Sequence, residues 1–274
     1  MRSIAKLMKD WQFTGPNGVT TAVELPHTWN ARDGQDGGND YWRGCCTYCT
    51  RFAAPVVYDP AQQQVWLQFE GVNASAAVLL NGQQLCTHDG GYSTFRAEVT
   101  ELLQAENQLT VRVDNSVNDR VYPQKADFTF YGGIYRDVSL LVVNKNHIAL
   151  GHFGDTGVKI TPTLKEGSAD IRVETLVEGS GTVTVELLDA EGRTVAKGEG
   201  ENASLHLDAP HLWNGIKDPY LYTCVVRLLQ DGQPVDEVTT RVGLRSFSVD
   251  AMCAAYPSSC SPSAPARRRA RRPA

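Results

Sequence analysis

Alternation of apolar and polar side chains is the dominant pattern along this chain. In VWLQFEGV, Val65, Leu67 and Phe69 alternate with Trp66, Gln68 and Glu70, the period of two that turns one face of a strand toward a core. QLTVRVDN repeats the pattern with Leu109, Val111 and Val113. Asn81-Gly82 lies between the apolar runs of VLLNGQQLC, and Asp231-Gly232 interrupts YLYTCVVRLLQDGQPVDEVTTRVGL. Both dipeptides suit the positive φ angles of tight hairpin turns. TVTVELLDAEGRTVA reads as strand, glycine-containing turn, strand, whereas EVTELLQ hints at a helix of a turn or two. Short strands at this spacing predict an all-β protein built of β-sandwiches.

The strands fall into two series that meet near VNKNHIAL, residues 143 to 150. Residues 1–145 suit a large sandwich such as a jelly roll. Residues 146–250, with roughly seven short strands, suit an immunoglobulin-like sandwich on size and strand count. From Ala251 onward the composition turns to Pro, Ser, Ala and Arg, and 251–274 is expected to be disordered.

Charge narrows the partners. The 274 residues carry a formal net charge of -5, a value that includes five arginines (Arg267, Arg268, Arg269, Arg271 and Arg272) among the last eight residues. An acidic body argues against nucleic acid or an anionic membrane as the main partner. No apolar run approaches the length of a membrane-spanning helix. MRSIAKLMKDWQF lacks the apolar core of a signal peptide, so a cytoplasmic location is expected.

The seven cysteines include the cluster Cys45, Cys46 and Cys49. No second pair has ligand spacing, and zinc needs four ligands. On a strand, Cys45 and Cys49 share one face and Cys46 takes the other, so small hydrophobes in a reducing compartment are the reading. DGQDGGND, residues 33–40, does not follow the ligand order of an EF-hand. No metal and no cofactor are expected. Asn73-Ala-Ser and Asn202-Ala-Ser fit the glycosylation sequon and, with no secretory signal, are read as coincidence.

Six stretches in order carry a family likeness: DWQF (10–13), VELPHTWNARDGQDGGNDYWRG (23–44), FEGVNASAAVLLNGQQLCTHDGGYSTFRAEVT (69–100), YGGIYRDVSLLV (131–142), LWNGIKDPYLYT (212–223) and VGLRSFSVD (242–250). Over nearly all of residues 1–250 the chain resembles the N-terminal, non-catalytic half of glycoside hydrolase family 2, the β-galactosidase and β-glucuronidase type. The resemblance implies a sugar-binding jelly roll, then an immunoglobulin-like domain, then a TIM barrel bearing both catalytic glutamates. A barrel needs roughly 250 residues, and the tail offers far fewer. A truncation or shifted reading frame accounts for both the tail and the missing barrel, and the chain alone is expected to be inactive. Asp33, Asp36, Asp40, Asp119 and Asp127 place carboxylates near predicted loops, but their spacing marks no glycosidase pair.

The resemblance also implies a substrate-binding pair. An Asp shortly before G-I-x-R-D-V and the Asn of G-V-N-S/A reach from the sandwich into the barrel's active site. Asp127 and Asn73 occupy those positions here. Carboxylates and amides suit sugar hydroxyls, which both donate and accept. Read as residues alone, Asp127 also fits a loop carboxylate that satisfies backbone N–H groups, and Asn73 a turn residue after Gly71. Phe128, Phe130 and Tyr131 suit a domain interface, Gly132 and Gly133 a tight turn or bulge, and Arg136 and Asp137 salt bridges on opposite strand faces. His27 reads as a hydrogen-bonded structural residue, Trp29 as packing, and the His88–Tyr92 stretch as a glycine-rich loop. The implied partner is a carbohydrate, a β-galactoside or related glycoside, bound weakly by this chain in isolation. An exposed barrel-docking surface would also allow self-association. A stand-alone carbohydrate-binding module and a structural or interaction protein are the alternatives.

Overall fold

A computed structural model describes residues 1–31, 41–55, 58–123, 129–151 and 154–247, together with the backbone of 249–250 and 253–254. The chain forms two compact units, Met1–Gly157 with Val177–Ser180, and Val158–Leu176 with Gly181–Ala274. Both are built from antiparallel strands, as the alternation requires. Among the described residues, no helix is long and apolar enough to cross a membrane.

The first unit contains β1 (Ser3–Lys6), β2 (Trp11–Thr14), β3 (Thr20–Val23), β4 (Cys45–Ala53), β5 (Gln63–Phe69), β6 (Val72–Asn73), β7 (Ser75–Leu80), β8 (Gln83–Asp89), β9 (Phe95–Glu98), β10 (Glu106–Asp114), β11 (Gly133–Ile134) and β12 (Val138–Asn144). One sheet has the order β1-β12-β5-β9, and a second has β3-β2-β4-β10-β7-β8. Their inner faces share one core. Val65, Leu67 and Phe69 of β5 and Leu140 and Val142 of β12 are buried in the same cluster as Tyr48, Val78, Leu109, Val111 and Val113 of the second sheet. The two-residue alternation of β4, β5 and β10 is the direct cause, since every second side chain points inward. Each buried Leu or Phe contributes about 1.5–3 kcal/mol.

β12 is different. Its apolar run VSLLVV is buried throughout, because Leu141 and Val143 enter a second cluster with Leu150 and Trp66. A strand covered on both faces loses its alternation. Cys46 is buried while Cys45 is exposed, as strand geometry requires. The Asn81-Gly82 turn between β7 and β8 has φ angles of 52° and 83°, the positive pair of a type I′ hairpin.

The chain continues through β13 (His147–Ile148), β14 (Val158–Lys165), β15 (Ser168–Thr175), β16 (Val177–Glu178), β17 (Thr182–Leu188), β18 (Thr194–Glu199), β19 (Asn202–Asp208), β20 (Tyr222–Gln230) and β21 (Gln233–Val242). In the second unit one sheet has the order β14-β15-β19 and the other β18-β17-β20-β21. Each turns a buried row to one side, Ala169, Ile171 and Val173 on β15 and Cys224, Val226 and Leu228 on β20. β16 belongs to the first unit, where it pairs with β13. Val249–Asp250 pairs with Cys253–Ala254, and the rest of the 251–274 tail lies outside the described residues.

Candidate functional site

The site is built where three distant segments meet, residues 27–30, 72–75 and 130–134. β6 pairs with β11, placing Asn73 opposite Gly133. The Asn73 Nδ2 donates to the Tyr131 carbonyl oxygen at 2.9 Å. Asn73 is almost fully buried, at 5% exposure, and its Oδ1 accepts no hydrogen bond among the described residues. Gly91 closes over it, since a Cβ at position 91 would lie 2.4 Å from that oxygen.

The segment His27–Asn30 fastens the double glycine. His27 N donates to Ile134 O at 2.8 Å and Trp29 N to Gly132 O at 3.3 Å, while Thr28 Oγ1 donates to Gly132 O at 2.8 Å. Gly133 has a φ of 138°, and a Cβ there would lie 2.4 Å from the His27 carbonyl oxygen. At Gly132 a Cβ would strike the Trp29 ring at 2.2 Å. The two glycines therefore serve both a backbone conformation and a close approach. The His27 Nδ1 meets the Tyr48 hydroxyl at 2.7 Å. Burial holds the imidazole below the ordinary histidine pKa and pushes the Tyr48 phenol far up. Trp29 packs, stacked on Phe13 and edge-on to Trp42, with both centroid distances 6.0 Å.

Two buried amides organise the base of the site. Asn30 Oδ1 accepts from Gly132 N at 2.8 Å and from Asn115 Nδ2 at 3.2 Å. Its Nδ2 donates to Trp42 O at 2.9 Å, and Asn115 Oδ1 accepts from Gly44 N at 2.9 Å. Sequence reasoning missed both residues. The only signal was an Asn closing PHTWN and another closing a strand, with no periodicity to connect them.

Above these amides lies a cleft whose wall includes Arg43, Asn73, Tyr92, Asn115, Tyr122 and Phe130. It holds about 20 Å³, room for a water molecule but not for a sugar ring. Tyr92 and Tyr122 on its wall are exposed by 61% and 73%, so aromatic surface rims the opening. Arg120 Nε binds Asp89 at 2.9 Å, and Ser75 Oγ donates to the same carboxylate at 2.5 Å. Those two bonds, Arg120 first, hold the Asp89 carboxyl below its usual range.

Asp127, Phe128, Asp33, Asp36 and Asp40 lie outside the described residues. Tyr131, whose carbonyl is bound to Asn73, follows Asp127 closely in the chain. Asp119 is exposed. Asp137 forms an ion pair with Lys6 at 2.6 Å. Arg136 takes no such partner among the described residues and instead donates to the carbonyl oxygens of Glu70 and Tyr92 at 3.4 and 3.3 Å. Among the described residues, no three His, Cys, Asp or Glu side chains converge to hold a metal ion.

The first unit, an all-β domain, thus carries beside Asn73 a small cleft walled by amides, an arginine and aromatic rings. Comparison with known proteins names the family. The model of the glycosyl hydrolase 2 galactose-binding domain-like family matches residues 38–163, and that of glycosyl hydrolases family 2 matches residues 152–245. A β-glucuronidase of Bacteroides fragilis is 33% identical over 266 residues, covering 89% of this chain and 38% of the relative. A putative β-glucuronidase of Formosa agariphila is 35% identical, covering 89% and 30%. Among solved structures, an FMN-binding β-glucuronidase from F. prausnitzii L2-6 superposes with a TM-score of 0.85 at 36% identity, covering 91% of this chain and 40% of that one. A putative β-galactosidase from B. fragilis gives 0.82 at 34% identity, covering 93% and 43%. The chain belongs to glycoside hydrolase family 2. What it matches is the family's N-terminal, non-catalytic part, and it spans well under half the length of these relatives.

Proposed function

We propose that this chain forms one wall of a glycosidase active site, presenting Asn73 and Asp127 to a glycoside whose bond is cleaved by residues of a barrel domain. The first unit is read as the sugar-binding jelly roll and the second as the immunoglobulin-like domain of that enzyme. The observation that carries the reading is the bond from Asn73 to the Tyr131 carbonyl. It joins the GVNAS motif to the segment that follows Asp127, at a cleft rimmed by exposed aromatic rings. The Asn73 Oδ1 is left to accept from a sugar hydroxyl. The cleft is too small to enclose a ring, as suits a wall completed by a second domain. Trp42, Tyr92, Tyr122 and Tyr131 then form the surface on which that domain, or a second copy of this chain, docks. The free thiols of Cys45, Cys46, Cys49, Cys86 and Cys224 suit a reducing, cytoplasmic setting.

A stand-alone carbohydrate-binding module fits less well. It calls for a row of rings on one sheet face, and the exposed Trp42, Tyr92, Tyr122 and Tyr131 all lie in loops.

Magnitudes set the test. A hydrogen bond nets about 0.5–1.5 kcal/mol, and somewhat more to a charge, so Asn73 and Asp127 together supply roughly 2–4 kcal/mol. Millimolar binding already needs about 4 kcal/mol. Ligand-observed NMR with methyl β-D-galactoside should give a dissociation constant in the millimolar range or weaker, and Asn73→Ala should weaken it several-fold. Micromolar binding would refute the need for a second domain. Binding unchanged in Asn73→Ala would remove Asn73 from the site.

A further inference from the structure

The loop that leads from β8 into β9 lines a second recess in the first unit. Its described wall includes His88, Ser93, Phe95, Arg96, Leu150 and Gly154 and has no residue in common with the Asn73 cleft. It holds about 390 Å³, within the roughly 300–1,000 Å³ of small-molecule sites. Gly154 is pressed against the start of β9, since a Cβ there would lie 1.8 Å from the Thr94 carbonyl oxygen. No acidic side chain among the described residues lines this groove.

Arg96 is half-buried, and every acceptor it meets is neutral. Its Nε donates to Gln68 Oε1 at 2.7 Å, and its Nη1 to the Leu150 and Asp155 carbonyl oxygens at 2.8 and 2.7 Å. Among the described residues its Nη2 has no acceptor, and no carboxylate comes within ion-pair distance of the guanidinium. Two acids that act on it from further off are engaged elsewhere, Glu70 by Gln68 Nε2 at 3.4 Å and Asp155 by the Thr156 N–H at 2.6 Å. Burial first, and then the Arg2 guanidinium, hold Arg96 below the ordinary arginine pKa, and the two carboxylates offset only part of this. A cation anchored by neutral groups and partly shielded from water attracts an anion more strongly than an exposed one does.

His88 adds a donor and a surface. Its Nε2 lies 3.1 Å from both Gly90 O and Ser93 Oγ. A carbonyl oxygen only accepts, so Nε2 carries the hydrogen. Burial holds the imidazole below its usual pKa, so the ring is neutral at pH 7. Ser93 Oγ then accepts from Nε2, and the hydroxyl of this exposed residue has its own hydrogen free to donate. The His88 ring stacks on Phe95 at 4.2 Å between centroids, and Phe95 on Phe69 at 4.9 Å. Phe69 is fully buried, so the stack runs outward from the core and ends on His88 at the groove.

We propose that this groove binds a small aromatic carboxylate, whose ring extends the His88 stack while its oxygens accept from Arg96 Nη2 and Ser93 Oγ. Benzoate, benzyl alcohol and acetate separate the two halves of the site, because the alcohol lacks the charge and acetate lacks the ring. Each is titrated into the full 274-residue chain and followed by backbone amide NMR. Benzoate should bind about tenfold more tightly than either, the effect of one charge-assisted hydrogen bond or of one ring stack. Its shifts should centre on Ser93–Arg96, Gly151 and Gly154, and added salt should weaken it. Ser93→Ala should weaken benzoate several-fold without disturbing the fold. Arg96→Gln should remove the advantage of benzoate over benzyl alcohol. Its amide spectrum reports whether it is folded, and if it is not, the comparison of ligands on the native chain and Ser93→Ala decide the matter. Equal binding of benzoate and benzyl alcohol by the native chain, or shifts confined to residues outside the groove, would overturn the site. Acetate binding as tightly as benzoate would overturn the selectivity for an aromatic ligand, and unchanged benzoate binding in Ser93→Ala would contradict the donor assigned to Ser93.

Discussion

Replacing Gly133 by alanine tests why two glycines precede the β12 strand. Gly133 adopts a φ of 138°, a region that costs a side-chain-bearing residue about 1–3 kcal/mol. The new methyl would lie 2.4 Å from the His27 carbonyl oxygen, 2.9 Å from the Tyr48 hydroxyl and 3.0 Å from the Thr28 Cα. Two of these are backbone atoms, so relief requires segment 27–28 to move, and such overpacking costs a further 1–3 kcal/mol or so. The sum is about 4 kcal/mol, which corresponds to a fall in Tm of roughly 8–16 °C for a unit of this size. Gly82→Ala is the control. It has a φ of 83° and nothing within 4 Å of the added carbon, so only backbone strain of about 1–2 kcal/mol remains. Thermal and urea unfolding followed by circular dichroism would measure both. If Gly133→Ala proves no more costly than Gly82→Ala, the close approach of residues 132–133 to 27–29 does not constrain this fold.

Asn30→Ala should cost about 2–4 kcal/mol in urea unfolding, because the Gly132 N–H and the Trp42 carbonyl each lose a buried partner at roughly 1–3 kcal/mol; a loss below about 1 kcal/mol would contradict the hub. Burial holds His27 below its ordinary pKa, so as pH falls the unfolded chain takes up that proton first. The contribution of His27 therefore favours folding above the unfolded pKa of about 6.5, and is lost as pH falls through 6.5 and below the folded pKa. His27→Gln should flatten the decline in stability between about pH 7 and 5.5, with a residual slope from His88, which burial shifts the same way; an unchanged slope would contradict this. Exposed Cys45 should be alkylated by iodoacetamide well before Cys46, which is 2% exposed with its thiol pushed up to about 12; peptide mapping after brief treatment reads the order, and equal labelling would contradict the burial.

Much of the fold could be read from the sequence because its rules are local. The alternation in β4, β5 and β10 sets which side chains face the core, and Asn81-Gly82 names its own turn. The uninterrupted run in β12 marks a strand covered on both faces. The site could be read only in part. Asn73 and the double glycine stand out within short motifs, but the reason Gly132 and Gly133 must be glycine lies in residues 27–29, more than 100 positions away. Asn30 and Asn115 carry no pattern at all, since a loop amide becomes informative only when the fold brings its partners near. The return of Val177–Ser180 to the first unit is likewise a long-range pairing without a local signature.

The central claim is that sugar is met at the Asn73 cleft of the first unit. Backbone amide chemical-shift mapping with excess methyl β-D-glycoside tests it most directly. The account predicts that shifts concentrate at Asn73, at Gly91–Tyr92 and at Gly132–Gly133. Shifts confined to the second unit, or spread along the outer face of either sheet of the first, would contradict it.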